Sequence, residues 1–419
     1  MTLAPASTSL IPRVSVGEAN GSAAKLQYAV AEFFAGIGLA RLGLEDARCG
    51  FKVTWANDLE ESKQSTYLGH FGQDEAKRYK VQNIKDVAKD IDAAGVPRNL
   101  DLAWASFPCT DLSLAGGREG LAGSASGTFW NLTDILGRLG SDKPRVVALE
   151  NVNGFATSHG GEDIKAAVRK LNLLGYSVDV ITLDARRWVP QSRPRLFLVA
   201  SLEKPLRRDD ARNTELRPKW LDTVLDAPGL VTHRALLPSP PPLLTEGWTN
   251  LVDGDSDDGV EWWDKERTAK FTAELSNIQK KRKGEIAVAG KTIYRTAYRR
   301  TRGGVPAWEI RADDIAGCLR TAGGGSSKQA VVRIRKNQPL KVRWMTAREY
   351  AKLMGAPNYT LPESRNQSIM GFGDAVCVDA VRWLAENYLE PLLSGKMLTP
   401  SEVCQAEPAE KPLREVVCA

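Results

Sequence analysis

Three short segments of this chain carry the residue types that could do chemistry. Phe107-Pro108-Cys109-Thr110 follows the apolar run DLAWAS, Glu150-Asn151-Val152 closes a second run, and Gln191-Ser192-Arg193-Pro194-Arg195 opens a third. A thiolate beside a carboxyl group suits a ring that needs a nucleophile and a proton together. A cysteine alone is more often an inert small hydrophobe, and it is the company of Glu150 that points to reactivity. Arg193 and Arg195, two apart on an extended segment, point the same way and so reach one ligand, although a solvated strand edge would carry the same pattern.

A fourth segment, Phe34-Ala35-Gly36-Ile37-Gly38, reads as a strand running into a glycine turn and then a helix, with Asp58 at the end of the next strand. Glycines let a ligand approach the backbone, and an acidic side chain at the second strand end accepts both hydroxyls of a ribose. The spacing is not GxGxxG, so no pyrophosphate is demanded. A tight turn with a solvated aspartate is the plain alternative.

These segments need a frame that brings strand ends together. The runs YAVAEFF, FKVTWAN, LDLAWASF, RVVALEN, YSVDVITL and RLFLVAS alternate with helical stretches, which predicts an α/β fold with a parallel sheet covered on both faces. Open sheets of this kind bind ligands at the carboxyl ends of their strands. After Ser201 the rhythm stops: PSPPPLL, DGDSDDG and QKKRKGE predict a more irregular unit. Helical spacing returns at TAREYAKLMG and VCVDAVRWLAENYLEPLL. The expected organisation is a leader (1–25), a catalytic cofactor-binding domain (26–200), a recognition domain (201–330), a returning segment (331–395) and a tail (396–419).

With 419 residues, 42% of them hydrophobic, the chain can bury a large core. Its net charge of +6 tilts toward an anionic partner. The six cysteines are scattered without a CxxC pair and there are only three histidines, which argues against a zinc site and for a reducing, cytoplasmic setting. No stretch approaches the roughly 18 apolar residues of a membrane span. Residues 278–303 are basic with interleaved tyrosines, which suits either a nucleic-acid surface or a solvated face.

The order FAGIG, PCT, ENV, QSRPR, a variable region, RTAGGGSSKQ and GFGDAV resembles the DNA cytosine-5 methyltransferases, over roughly residues 27 to 390. The resemblance implies a Rossmann-like catalytic domain that binds S-adenosylmethionine, a smaller target-recognition domain, and a C-terminal helix returning to the first. It implies Cys109 as nucleophile toward C6 of a flipped-out cytosine in double-stranded DNA, and Glu150 at the N3 edge. Arg193 and Arg195 would position the base and the loop and favour the thiolate. For the cofactor it implies Phe34, Ala35, Gly36, Ile37 and Gly38, then Asp58 and Leu59, Asn83 and Ile84, Pro108, and Asp374 and Ala375. A monomer without metal, located with DNA in the cytoplasm, is expected.

The chain departs from the family pattern at three places. Gln82-Asn83-Ile84 stands where the family has Gly-Asp-Ile, Leu39 where it has the second glycine of GxGG, and Gly373-Asp374-Ala375-Val376 where it has Gly-Asn-Ala-Val. The carboxyl at 374 would lie near the methionine end of the cofactor, or else cap a helix starting at Ala375. An RNA cytosine-5 methyltransferase and a non-catalytic DNA-binding relative are the competing readings.

Overall fold

The computed structural model describes residues 27–108, 120–123, 127–205, 209–288, 291–302, 304–321 and 328–396. The expected leader lies outside them, as does the tail from residue 397 and the catalytic-loop residue Cys109.

A seven-stranded sheet organises the large unit: β1 (Tyr28–Phe33), β2 (Phe51–Asp58), β3 (Tyr79–Val81), β4 (Leu102–Ala105), β5 (Val146–Val152), β6 (Ser177–Asp184) and β7 (Pro194–Ser201), in the order β3-β2-β1-β4-β5-β7-β6. All six expected strands are present, and β3 is an addition. The sheet is not wholly parallel, as the sequence had suggested: β7 lies between β5 and β6 and runs antiparallel to both. The connection between β6 and β7, residues 185–193, is shorter than the dozen or more residues of a parallel crossover, so the chain can only turn back.

The strands are apolar on both faces because both are covered. One face takes α3 (Ile84–Lys89), α4 (Thr128–Leu139) and α5 (Glu162–Leu173), through Val87, Phe129, Leu132, Ile164 and Val168. The other takes α1 (Leu39–Asp46) and α2 (Glu61–Phe71), through Leu44 and Tyr67, and the helical run from Val378 to Ser394, through Val381, Leu384, Tyr388 and Leu392. The C-terminal segment thus returns to the first strands. Its apolar residues at three- and four-residue spacing form one stripe, as that period requires.

A second, four-stranded antiparallel sheet consists of β8 (Ile293–Arg302), β9 (Val305–Ile310), β10 (Ala330–Ile334) and β11 (Lys341–Trp344), ordered β11-β10-β8-β9. Trp263 and Phe271 pack against Trp308 of β9 and Trp344 of β11 in tilted and edge-on contacts. The packing draws the units differently from the division at 201 and 330. Leu216, Ala235 and Leu237 join the core of the large sheet, and Arg217, buried, pairs with Asp179 of β6 at 2.6 Å. The small sheet meanwhile continues past residue 330. A third core, with Ile37, Leu39, Trp248, Leu319, Tyr350, Phe372 and Val378, joins the two units. It accounts for Leu39 in place of a glycine, since the side chain is buried there.

Candidate functional site: a crevice at the ends of β1, β2, β5 and β7

The turn after β1 is built to leave its backbone open. Phe34, Gly36 and Gly38 all have positive φ (56°, 56° and 79°). A Cβ on Gly38 would lie 2.6 Å from the rings of Tyr67 and Phe71, whereas a Cβ on Gly36 would meet nothing within 4 Å. Gly38 is therefore required by packing, and Gly36 faces open space. The Gly36 N–H donates to Asp58 Oδ2 at 2.9 Å, while Oδ1 accepts from the N–H of Leu59 at 2.7 Å and of Glu60 at 3.2 Å. Tyr79 and Tyr359 hold the carbonyls of Gly36 and Ile37 from below, at 2.8 and 2.6 Å. Asp58 is thus fixed against the turn: two N–H donors fill Oδ1, and Oδ2 retains acceptor capacity for a ribose hydroxyl.

Around this turn the expected cofactor residues separate by what they expose. Leu59 is 62% exposed, an apolar surface beside the carboxylate that suits a purine face. Ala35, Ile37 and Ile84 are buried, and the Ala35 and Ile37 carbonyls already accept from the Gly38 N–H and the Tyr359 hydroxyl, so these residues shape the turn from within. Asn83 caps α3, its side chain accepting from the Lys85 N–H at 3.0 Å. Asp374 does not cap a helix starting at Ala375: it ends the helix Arg365–Asp374, and the next helix begins at Val378 with Cys377 as its cap. The Asp374 carboxylate instead accepts from the Thr321 hydroxyl and lies 3.5 Å from the Lys63 ammonium. An open backbone turn, a fixed carboxylate and an exposed leucine match the parts of S-adenosylmethionine that need hydrogen bonds and an apolar face.

The second half of the site lies at the ends of β5 and β7. Glu150 pairs with Arg195 at 3.0 Å, their side chains 7% and 14% exposed. Asn151 donates to the Phe107 carbonyl at 3.2 Å and so ties β5 to the segment leading into Pro108, which is itself exposed. Cys109 follows directly, outside the described residues. Arg193 and Arg195 do point the same way: the Cys318 Sγ lies 3.4 Å from Arg193 Nη1 and 4.0 Å from Arg195 Nη2. Burial works to raise the Cys318 thiol, but the charges of Arg193 and Arg195 outweigh it and hold the pKa below its ordinary value. The two arginines nevertheless differ in role. Arg193 is 1% exposed and donates to the carbonyls of Leu319 (2.7 Å), Gly373 (2.9 Å) and Ala375 (2.6 Å), a clamp across three segments distant in sequence.

Three residues of this site were not singled out from the sequence. Gln191, fully buried, accepts from the Leu319 N–H and donates to the Leu353 carbonyl, at 2.9 and 2.7 Å. It stands at the head of the QSRPR segment, where the arginines drew attention. Cys318 immediately precedes Leu319-Arg320-Thr321, and Lys63 lies in the first turn of α2, just after Asp58.

The basic run splits on folding. Within residues 278–303, Arg295 pairs with Asp314 at 2.9 Å, Arg299 with Glu274 at 2.9 Å and Arg300 with Glu309 at 3.8 Å, while Lys280 and Lys281 on the helix Asn277–Ala287 are exposed. Among the described residues no cluster of three or more metal-ligating side chains occurs, and no helix is long and apolar enough to cross a membrane.

The model of the C-5 cytosine-specific DNA methylase family matches residues 28–390. The chain is 26% identical to the type II methyltransferase M.Bsp6I of Bacillus sp. (strain RFL6) over 368 residues, 87% of this chain and 99% of that protein. It is 26% identical to M.HhaI of Haemophilus parahaemolyticus over 360 residues, 85% and 92% of the two. With M.HaeII of Haemophilus aegyptius it shares 33% identity over 179 residues, 42% of this chain and 52% of that one. Among solved structures, the Entamoeba histolytica methyltransferase EhMeth shares the fold with a TM-score of 0.57 at 16% identity, covering 89% of this chain and 100% of its own. Since the family match spans both sheets and every segment of the crevice, the chain belongs to the C-5 cytosine-specific DNA methylases, enzymes that methylate cytosine with S-adenosylmethionine as donor.

Proposed function

We propose that the chain methylates C5 of a cytosine swung out of double-stranded DNA, as a monomer, through a covalent bond between Cys109 and C6. The observation that carries this reading is the Glu150–Arg195 pair beside the Asn151-held segment that ends in Pro108. Cytosine C5 is a poor nucleophile until the ring's aromaticity is broken. Attack of the Cys109 thiolate on C6, with Glu150 hydrogen-bonding or protonating N3, moves the electron pair to C5. The cofactor supplies an electrophilic methyl group when bound. Loss of the C5 proton then restores the C5–C6 double bond and expels the thiolate. Arg195 keeps the Glu150 carboxyl aimed, and Arg193 holds the β7 end against the segments at 319 and 373–375.

A loop cysteine cannot reach C6 of a stacked base, so the nucleotide must leave the duplex at a cost of a few kcal/mol, which phosphate contacts offset. Exposed Lys280 is a candidate for such contacts; Lys281, paired with Glu285 at 3.9 Å, and the paired arginines of β8 contribute less. The type II names of the relatives suggest a modification enzyme paired with a restriction activity.

The test is methyl transfer from labelled cofactor to duplex DNA and to RNA in parallel, with Cys109→Ser alongside. Transfer to DNA that the substitution abolishes is expected, together with a stable adduct on DNA containing 5-fluorocytosine, whose fluorine cannot leave as a cation. Turnover without an adduct would overturn the covalent step; preference for RNA would overturn the substrate.

A further inference from the structure

We propose that Lys63 sets the discrimination between S-adenosylmethionine and S-adenosylhomocysteine, by offsetting the negative charge of Asp374 at the sulfur end of the cofactor. The inference rests on the placement of the ribose at Asp58. Lys63 projects from the first turn of α2 with a side chain only 17% exposed, and its ammonium is surrounded by three carboxylates: Glu60 at 2.9 Å, Asp374 at 3.5 Å and Asp58 at 3.9 Å. Burial works to lower its pKa, but Asp58, Asp374 and Glu60 together raise it, so the lysine is charged.

One ammonium touches both Asp58 and Asp374, so the two carboxylates lie within a single lysine's reach of each other. The cofactor's sulfur is bonded to the 5′ carbon of its ribose. The sulfur lies only about four bonds beyond the ribose 3′ oxygen, so a ribose held at Asp58 with its 5′ carbon toward Asp374 brings the sulfur close to the Lys63–Asp374 pair. The cofactor carries a sulfonium charge that the product lacks, while the rest of the two molecules is the same. A field at this point is felt by one form and hardly by the other. Asp374, an acid where the family has an amide, attracts the sulfonium; Lys63 repels it. Paired, they nearly cancel at a distance, which lets the protein carry an acid at this position without holding the charged form too tightly. Removing either partner alone unbalances the field, in opposite directions.

The experiment is calorimetric affinity for both forms at pH 8 and low salt, in the native chain and in Lys63→Met, Lys63→Arg, Asp374→Asn and the Lys63→Met/Asp374→Asn double variant, with thermal melts to establish folding. Lys63→Met is expected to shift the affinity ratio toward S-adenosylmethionine by about three- to tenfold, and Asp374→Asn to shift it the other way. Lys63→Arg and the double variant are expected to stay within about twofold of the native ratio, and the Lys63→Met shift to shrink in high salt. A folded Lys63→Met protein whose ratio is unchanged, or moves toward the product, overturns the inference while leaving the cofactor site intact. Failure of the native chain to bind either form would overturn the ribose placement as well.

Discussion

Arg195 sits opposite Val152 in the β5–β7 register, and Glu150 sits opposite Phe197, yet the Arg195 Nε and a Glu150 oxygen are 3.0 Å apart, joined diagonally across the two strands. Both side chains are largely withdrawn from water. The pair therefore does two things at once: each charge makes the other tolerable, and together they present a carboxyl edge at the strand ends.

Glu150→Gln separates these effects. The amide fills the same volume and its oxygen still accepts from Arg195, so the thermal midpoint should stay near the native value. Methyl transfer should fall by about 100- to 10,000-fold, the usual span for losing a general acid or base. Arg195→Met leaves the Glu150 carboxylate buried without its cation and should lower both stability and turnover. If Glu150→Gln retains transfer within about tenfold of native, Glu150 is not the N3 partner.

Arg193 should behave otherwise. Its guanidinium satisfies the carbonyls of Leu319, Gly373 and Ala375, and of these Leu319 keeps only the weak Cys318 thiol, at 3.4 Å, as a donor among the described residues once it is removed. Arg193→Met should cost about 2–4 kcal/mol, from unsatisfied buried acceptors. Denaturant unfolding should register that loss, along with weaker cofactor binding, because the clamp sets the backbone around Asp374. Loss of turnover at native stability would instead place Arg193 at the base.

These contrasts show where the sequence was legible. The long strands were, because burial on both faces demands unbroken apolar runs such as LAWA in β4 and VVAL at the start of β5. The three-residue β3, with Lys80 at its centre, carries too little pattern to be seen. The direction of β7 was in principle readable from the short connection before it, but residue composition holds no sign of direction. At the crevice, Asp58 and Gly36 were legible because turn chemistry is local. The partners of Arg193 come from segments more than a hundred residues further on, and Lys63 meets Asp374 across a still longer span. No local spacing encodes such encounters.

A buried acid beneath the glycine turn gives a pH prediction. Glu32, on β1, is 1% exposed; one oxygen accepts from the Arg41 N–H at 3.3 Å and the other has no partner among the described residues. Arg41, Glu45 and Asp58 surround it electrostatically, with the buried hydroxyls of Tyr67, Tyr79 and Tyr359 nearby. Burial raises its pKa to about 8, against the opposing pull of Arg41. The folded state thus holds a proton that the unfolded chain releases near pH 4.5. The stabilisation is complete below that pH, declines as the pH climbs, and is gone above about 8. Glu32→Gln, neutral throughout, should melt progressively higher than the native protein as pH rises from 5 to about 9. Parallel melting curves across that range would show that Glu32 is ionised in the fold.

Target choice should reside in residues 263–344. These residues hold their own core: Trp263 lies 5.9 Å from Trp308 and 5.0 Å from Trp344, and Phe271 lies 5.0 Å from Trp308, ring centre to ring centre, under the β11-β10-β8-β9 sheet. A unit with its own core can be exchanged with little disturbance to its neighbour, provided that residues 314–321, which carry the Cys318, Leu319 and Thr321 contacts to Arg193 and Asp374, stay native in the exchange. Base contacts, by contrast, depend on which of its side chains enter the groove. Replacing 263–344 with the corresponding segment of a relative that modifies another sequence should transfer the target, read by bisulfite sequencing of host DNA. Exchange of 209–237 should do something different. Arg217, Leu216 and Leu237 pack on the large sheet, and Arg217 is tied to Asp179. A foreign segment there should cost stability and leave the target unchanged. An active 263–344 chimera that keeps its original target would place recognition elsewhere, with the residues between 237 and 263 the next to exchange.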